Sequence, residues 1–160
     1  MRRNDSSITG RNQRGDAGGG VPRACEMRAH ATAFVRRVTA RSRLPLDHSP
    51  ACLRIVDFLV DGVRKGGAGH ERARGTLLGP AAYVGEVLVR RAGALWADFD
   101  AGRRACFGQP VGVRMPDGRV WNPLGRVHDR RVAGGGAEES PHAFCLTPHG
   151  RARRVRPAVK

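Results

Sequence analysis

Between Met27 and Arg41 apolar residues recur at helical spacing, with Met27, Ala31, Phe34, Val35 and Val38 on one side and Arg28, Thr32 and Arg36 on the other. This spacing predicts a helix that packs one stripe inward. Ser49 in a capping position, Pro50 in the first turn and the stop Gly66-Gly67 predict a second helix from about Pro50 to Lys65. Cys52, Leu53, Val56, Leu59, Val60 and Val63 form its stripe, and Arg54, Asp57, Asp61 and Arg64 its solvated face, where helix-surface ion pairs account for the two acids. A third helix is expected over Leu77 to Arg91, on Leu77, Ala81, Val84 and Leu88. Proline removes a backbone donor and clashes with the preceding turn, so Gly79-Pro80 should restart or kink that helix.

After Ala92-Gly93 the period falls to two. Leu95, Ala97 and Phe99 alternate with Trp96, Asp98 and Asp100, which predicts a half-buried strand. Val111, Val113 and Met115 alternate with Gly112 and Arg114, Pro116-Asp117-Gly118 supplies turn chemistry, and Arg119 to Asn122 resumes an extended run, so a hairpin follows. Asn122-Pro123 ends it. A short helix is expected over Leu124 to Val132, a glycine connection over residues 134–136, and a helix start at Ser140-Pro141 before Ala143 to Leu146. The expected architecture is α+β, with about three N-terminal helices, a small three-stranded antiparallel sheet and one or two short C-terminal helices.

All eight aromatic residues lie between Phe34 and Phe144. Residues 1–24 hold five glycines among Arg, Asn, Asp and Ser, and cannot bury enough apolar area to offset chain ordering. The expected organisation is therefore a disordered basic segment over 1–26, a single α+β domain over 27–146 and a disordered basic tail over 147–160. Met27, which opens the first stripe, is a candidate start of translation.

The net charge of +15 is unevenly spread. Residues 1–43 hold ten Arg and three acids, residues 44–145 fourteen bases and eleven acids, and residues 146–160 five bases and no acid. Attraction to nucleic acid or another polyanion would thus come from the ends, and no basic groove is indicated in the fold. Only Lys65 and Lys160 are lysines, and an arginine skew of this kind can also reflect GC-rich codons. Cys25, Cys52, Cys106 and Cys145 are widely spaced with no Cys-x-x-Cys, which offers no zinc knuckle and suits reduced, buried thiols. No apolar run follows Arg2-Arg3, and the window Ala81 to Val89 contains Glu86 and falls far short of the roughly 20 residues a membrane helix needs. A cytoplasmic protein without membrane contact is expected.

Common catalytic signatures are missing: no Walker loop follows either glycine run, and neither Gly-x-Ser-x-Gly nor His-Glu-x-x-His occurs. His142, Cys145 and His149 have spacings of three and four, but Pro148 should break the helix that would align them, so no metal site and no cofactor are expected. Glu86, in an apolar helical segment with Arg90 four residues on, is a weak candidate for a functional carboxylate, and an enzyme would have to use it with a nearby histidine. The alternation places Trp96, Asp98 and Asp100 on one strand face, with Arg114, Arg119 and Trp121 on that same outer face. Trp and Arg together suit recognition, so the leading expectation is a non-enzymatic module that binds a protein partner. Polyanion binding through the Arg-rich ends is the alternative.

The stretch from about Leu44 to Phe144, with Tyr83-Val84-Gly85-Glu86-Val87, Trp96-Ala97-Asp98-Phe99 and Gly118-Arg119-Val120-Trp121-Asn122-Pro123, resembles small actinobacterial proteins known only as a domain of unknown function. No activity comes with the resemblance. Such proteins are expected to continue with acidic or apolar residues where this chain has Arg151, Arg153, Arg154 and Arg156, and Gly79-Pro80 is also atypical of them.

Overall fold

The computed structural model describes residues 20–67, 69–134, 136 and 140–154, the last turns of the final helix by backbone alone. The first helix, α1 (Met27–Ser42), follows the predicted stripe, with Met27, Ala31, Phe34 and Val38 buried. It ends at Arg43, whose left-handed backbone (φ 54°) lets its N–H reach the Thr39 carbonyl. Residues Ala24–Glu26, expected in the unstructured segment, instead form a 3₁₀ turn that leads into α1. The Ala24 N–H donates to Asp98 Oδ1 at 2.8 Å, an anchor 74 residues away in sequence that no local pattern reveals.

The second helix begins later than predicted. Pro50–Cys52 is a 3₁₀ turn and α2 spans Leu53–Lys65. Ser49 makes no side-chain cap; its carbonyl accepts the Cys52 N–H, and its hydroxyl lies 3.4 Å from Cys52 Sγ. The third helix, α3 (His70–Ala92), starts seven residues before the expected Leu77 and runs through Pro80 without restarting. Residues 80–88 are all buried, Pro80 included, and that burial outweighs the one backbone hydrogen bond proline forfeits. Gly79 serves α1: a Cβ there would sit 3.0 Å from Phe34 Cβ.

The α+β class and the three-stranded antiparallel sheet, ordered β1 (Leu95–Asp98), β2 (Val111–Arg114), β3 (Val120–Trp121), agree with the expectation. The helix count differs. Among the described residues there are six α-helices, because α4 (Ala101–Phe107) fills what the pattern left as a connection between the first two strands. Asp100 caps α4 by accepting the Arg103 N–H, and Gly108 closes it at φ 62°. Helix α5 (Pro123–Ala133) is capped by Asn122 Oδ1 on the Gly125 N–H. Helix α6 (Pro141–Arg154) passes the expected domain end at residue 146 and the expected break at Pro148. It is anchored at its start, where Ser140 Oγ accepts from the His142 and Ala143 N–H groups, and Phe144 and Cys145 are buried.

Helix α3 is the axis of the molecule and packs against α1, α2, α5 and α6, with the sheet at its C-terminal end. It runs antiparallel to α1, since Arg28 approaches Glu86 while Phe34 meets Gly79 and Tyr83. Its Tyr83, Val84, Val87 and Leu88 are at most 1% exposed, and each such apolar side chain contributes about 1.5–3 kcal/mol by leaving water.

Candidate functional site

Register decides where the six surface candidates go. Trp96 pairs with Val113 and Val113 with Trp121, so both indoles share a face, as the alternation implied. That face is the inner one. Val113 is fully buried, the Trp96 ring lies where a Gly85 side chain would be, and the Trp121 ring meets Phe144 of α6 edge-on at 5.4 Å. Arg114 pairs with Leu95 and Val120 on the opposite face. The expected single outer surface of Trp96, Asp98, Asp100, Arg114, Arg119 and Trp121 is therefore divided. Asp98 holds Ala24, Asp100 caps α4, and Arg119 sits in the hairpin turn 3.7 Å from Asp117 Oδ2. A period of two fixes which residues share a face but not which face meets the helices.

The outer face instead carries the row Leu95, Arg114, Val120, with Leu95 61% exposed. Beside it, Gly93, Met115, Pro116 and Gly118 complete an open groove of about 330 Å³. At the other end of the sheet this face is covered by Phe99, whose ring lies over Gly112 and 5.2 Å from Phe107 of α4.

Glu86 is 1% exposed, and both its oxygens are engaged. Oε1 accepts the Trp96 indole N–H at 3.0 Å, Oε2 accepts from Arg90 Nε at 3.3 Å, and Arg28 Nε lies 3.8 Å away. The carboxylate thus joins β1, α3 and α1. The i to i+4 pair with Arg90 was legible in the sequence; the indole bond was not, because it depends on the strand's inward face.

Asp57 and Asp61 pair across the fold rather than along their own helix. Arg130 of α5, only 8% exposed, donates from Nη2 to Asp61 Oδ2 at 3.0 Å, places Nε 4.0 Å from Asp57 Oδ1, and reaches the Gly136 carbonyl through Nη1. Ser140 Oγ donates to Asp57 Oδ2 at 2.7 Å. Burial pushes the Asp57 carboxyl above the usual range, against the opposing pull of Ser140 and Arg130. This cluster clamps α2, α5 and the start of α6 together.

A polar node that the sequence did not signal lies where the 44–52 loop meets α3. His48 adopts a left-handed backbone (φ 59°), its N–H donates to the Tyr83 hydroxyl at 2.9 Å, and its ring stacks 4.7 Å from the Tyr83 ring. Its carbonyl accepts from Arg91 Nε. Cys52 Sγ lies 3.1 Å from Asp47 Oδ1, which also accepts the Ser49 N–H. Hydrogen bonds from Ser49 and Cys52 hold the Asp47 carboxyl well below its ordinary range, while burial lowers His48 and raises Tyr83. Only the Asp47-x-Ser49 turn chemistry could have marked this loop in advance.

The thiols are less buried than expected. Cys25 and Cys106 are exposed and Cys52 is half-buried; Cys145 alone is buried, with Sγ 3.8 Å from the Val84 carbonyl. Cys145 thus points into the core while His142 is half-buried, and the His149 side chain lies outside the described residues. Among the described residues no group of three or more His, Cys, Asp or Glu is arranged to hold a metal, and no helix is long and apolar enough to cross a membrane. Comparison with family models, with curated proteins and with solved structures finds no match to this chain.

Proposed function

We propose that this chain is a non-enzymatic binding module that docks a protein partner on the outer face of its small sheet. One observation carries this: Leu95, a large aliphatic side chain left 61% exposed on a strand, stands directly opposite Arg114 beside an open groove. An exposed apolar residue next to a guanidinium supplies contact area and directed hydrogen bonds together, and arginine is one of the residues enriched at binding hot spots. The partner chemistry this fits is an apolar side chain flanked by a carboxylate. The expected membership of the actinobacterial group is part of the same proposal.

Affinity capture from the protein's own cells tests it. Wild type should retain a partner that Leu95→Asp and Arg114→Glu lose, while Val132→Ser, which alters an exposed apolar residue on α5, retains it. An unchanged set of captured proteins in both sheet variants rules the docking face out. A second reading, attachment of polyanions by the C-terminal end, draws on the five bases and no acid of residues 146–160. Trimming residues 147–160 should then abolish salt-sensitive retention.

A further inference from the structure

We infer that the outward face of α1, with Arg72 of α3 beside its last turn, is a phosphate-backbone site for duplex nucleic acid, independent of the sheet face. Helix α1 divides the N-terminal charge differently from a cut at residue 43. Residues 1–26 hold five Arg and three acids, a net +2, whereas residues 27–43 hold five Arg and no acid, a net +5. Most of the charge that seemed to belong to an N-terminal tail therefore sits on a helix of the fold.

The placement of these arginines leaves their guanidinium groups open to solvent. Arg36, Arg37, Arg41, Arg43 and Arg72 are all exposed. Ion pairs among the described residues engage Arg28, Arg90, Arg103, Arg119 and Arg130, and none of these five. Helix α1 holds its arginines without an acid of its own, and Glu86 of α3 reaches only Arg28 at its start. Arg37 and Arg41 even stand at i, i+4, a like-charge spacing that costs a helix a few tenths of a kcal/mol.

The packing gathers the five. Gly79, Tyr83 and Glu86 mark the side of α3 that faces α1, and Arg72 falls on the same stripe, seven residues before Gly79. Because the two helices are antiparallel, Arg72 lies near the C-terminal turn of α1. From Arg36 to Arg41 the helix rises about 7.5 Å, which measured along the duplex axis spans about two to three phosphates of one strand.

The remaining exposed positions of α1 select among polyanions. Apart from Arg28 they are Ala29, Thr32, Ala33, Thr39, Ala40 and Ser42, small residues without an aromatic or a large aliphatic side chain. Single-stranded nucleic acid is held by aromatic stacking, and a membrane-surface helix needs an apolar wedge; the apolar stripe of α1 is spent in the core. A smooth arginine face suits the charge and bidentate geometry of a duplex backbone.

Fluorescence anisotropy with a labelled 20-base-pair DNA duplex of mixed sequence, using the full chain across a salt series, is the test. The Arg36→Gln/Arg37→Gln/Arg41→Gln variant should bind at least tenfold more weakly at about 0.1 M salt, with the log–log salt slope reduced by about 2.7 for three phosphates released. The same three residues changed to Lys should stay within about threefold of wild type, which separates lost charge from lost fold. Neutralising Arg151, Arg153, Arg154 and Arg156 should leave the effect of the α1 triple in place. No duplex binding by wild type at low salt, an unchanged slope in the triple, binding abolished by the C-terminal changes alone, or an α1-dependent preference for a single strand or for phosphatidylserine vesicles would each overturn the inference.

Discussion

The Trp96 indole N–H donates to Glu86 Oε1 at 3.0 Å inside the fold, so the first strand is tied to the central helix by a polar bond within an apolar layer. Trp96→Phe keeps most of the ring but leaves a buried carboxylate oxygen without its donor. A stability loss of about 1–3 kcal/mol is expected. Glu86→Gln keeps an acceptor for the indole and loses only attraction to Arg90 and Arg28, whose side chains are 48% and 72% exposed, so it should cost about 1 kcal/mol or less. Urea unfolding followed by circular dichroism checks both; equal losses would show that the indole bond contributes nothing of its own.

Two glycines on neighbouring helices should respond to alanine with opposite signs. A Cβ on Gly85 would overlap Cη2 and Cζ2 of Trp96, a ring fixed between strand and helix, so Gly85→Ala should destabilise by about 1–3 kcal/mol. Gly62 lies within α2 with nothing within 4 Å of its would-be Cβ, and Gly62→Ala should stabilise by about 0.5–1 kcal/mol through reduced freedom of the unfolded chain. Thermal melts of the two variants side by side give the comparison.

Gly85 also shows where sequence legibility ended. The stripes of α1 and α3, the hairpin turn at residues 116–118 and the pairing of β2 with β3 all rest on periodicity and turn chemistry, which are local. The face of β1 that turns inward is set by a slot in a helix ten residues earlier, and alternation carries no record of it. Asp100 had a clear capping position before α4, yet the same carboxylate also fitted a strand face. Arg130 is the complementary case, because its partners lie 69 and 73 residues away and the nearer Arg54 and Arg64 offered a simpler pairing.

That long-range clamp should be costly to break. Arg130→Gln leaves Asp57 and Asp61 largely buried without a cation, and a loss of about 3 kcal/mol is expected. The raised Asp57 carboxyl adds a pH signature. The native state holds that proton more tightly than the unfolded chain, so stability falls as pH rises from the ordinary carboxyl range through the raised native value. Asp57→Asn should flatten that part of the profile.

Thiol exposure orders a labelling experiment. Under native conditions iodoacetamide should modify Cys25 and Cys106 first and Cys52 more slowly, with Cys145 protected until the chain unfolds. Burial also pushes the Cys145 thiol well above its ordinary value, so the reactive thiolate is scarce there as well. Peptide mapping by mass spectrometry reads the sequence of events, and early modification of Cys145 would contradict the packing of α6 on α3.

His48 gives the sharpest pH test. Burial is the main cause that lowers its basicity; the Arg90 and Arg91 charges act in the same direction, and Glu86 and Asp47 pull against them. The unfolded chain, with an ordinary imidazole at about 6.5, takes up a proton before the native state does as pH falls. Stability is then fully present above that value and is lost as pH falls from it through the depressed native value. Asparagine tolerates the left-handed backbone at this position and retains the N–H that donates to Tyr83, so His48→Asn should remove this acid sensitivity with little change at pH 8. His48→Val should destabilise at every pH, because a β-branched residue is strained at φ 59°. Urea midpoints for wild type and both variants between pH 5 and pH 8 separate the effects; the same acid loss in His48→Asn as in wild type would assign the sensitivity to another group.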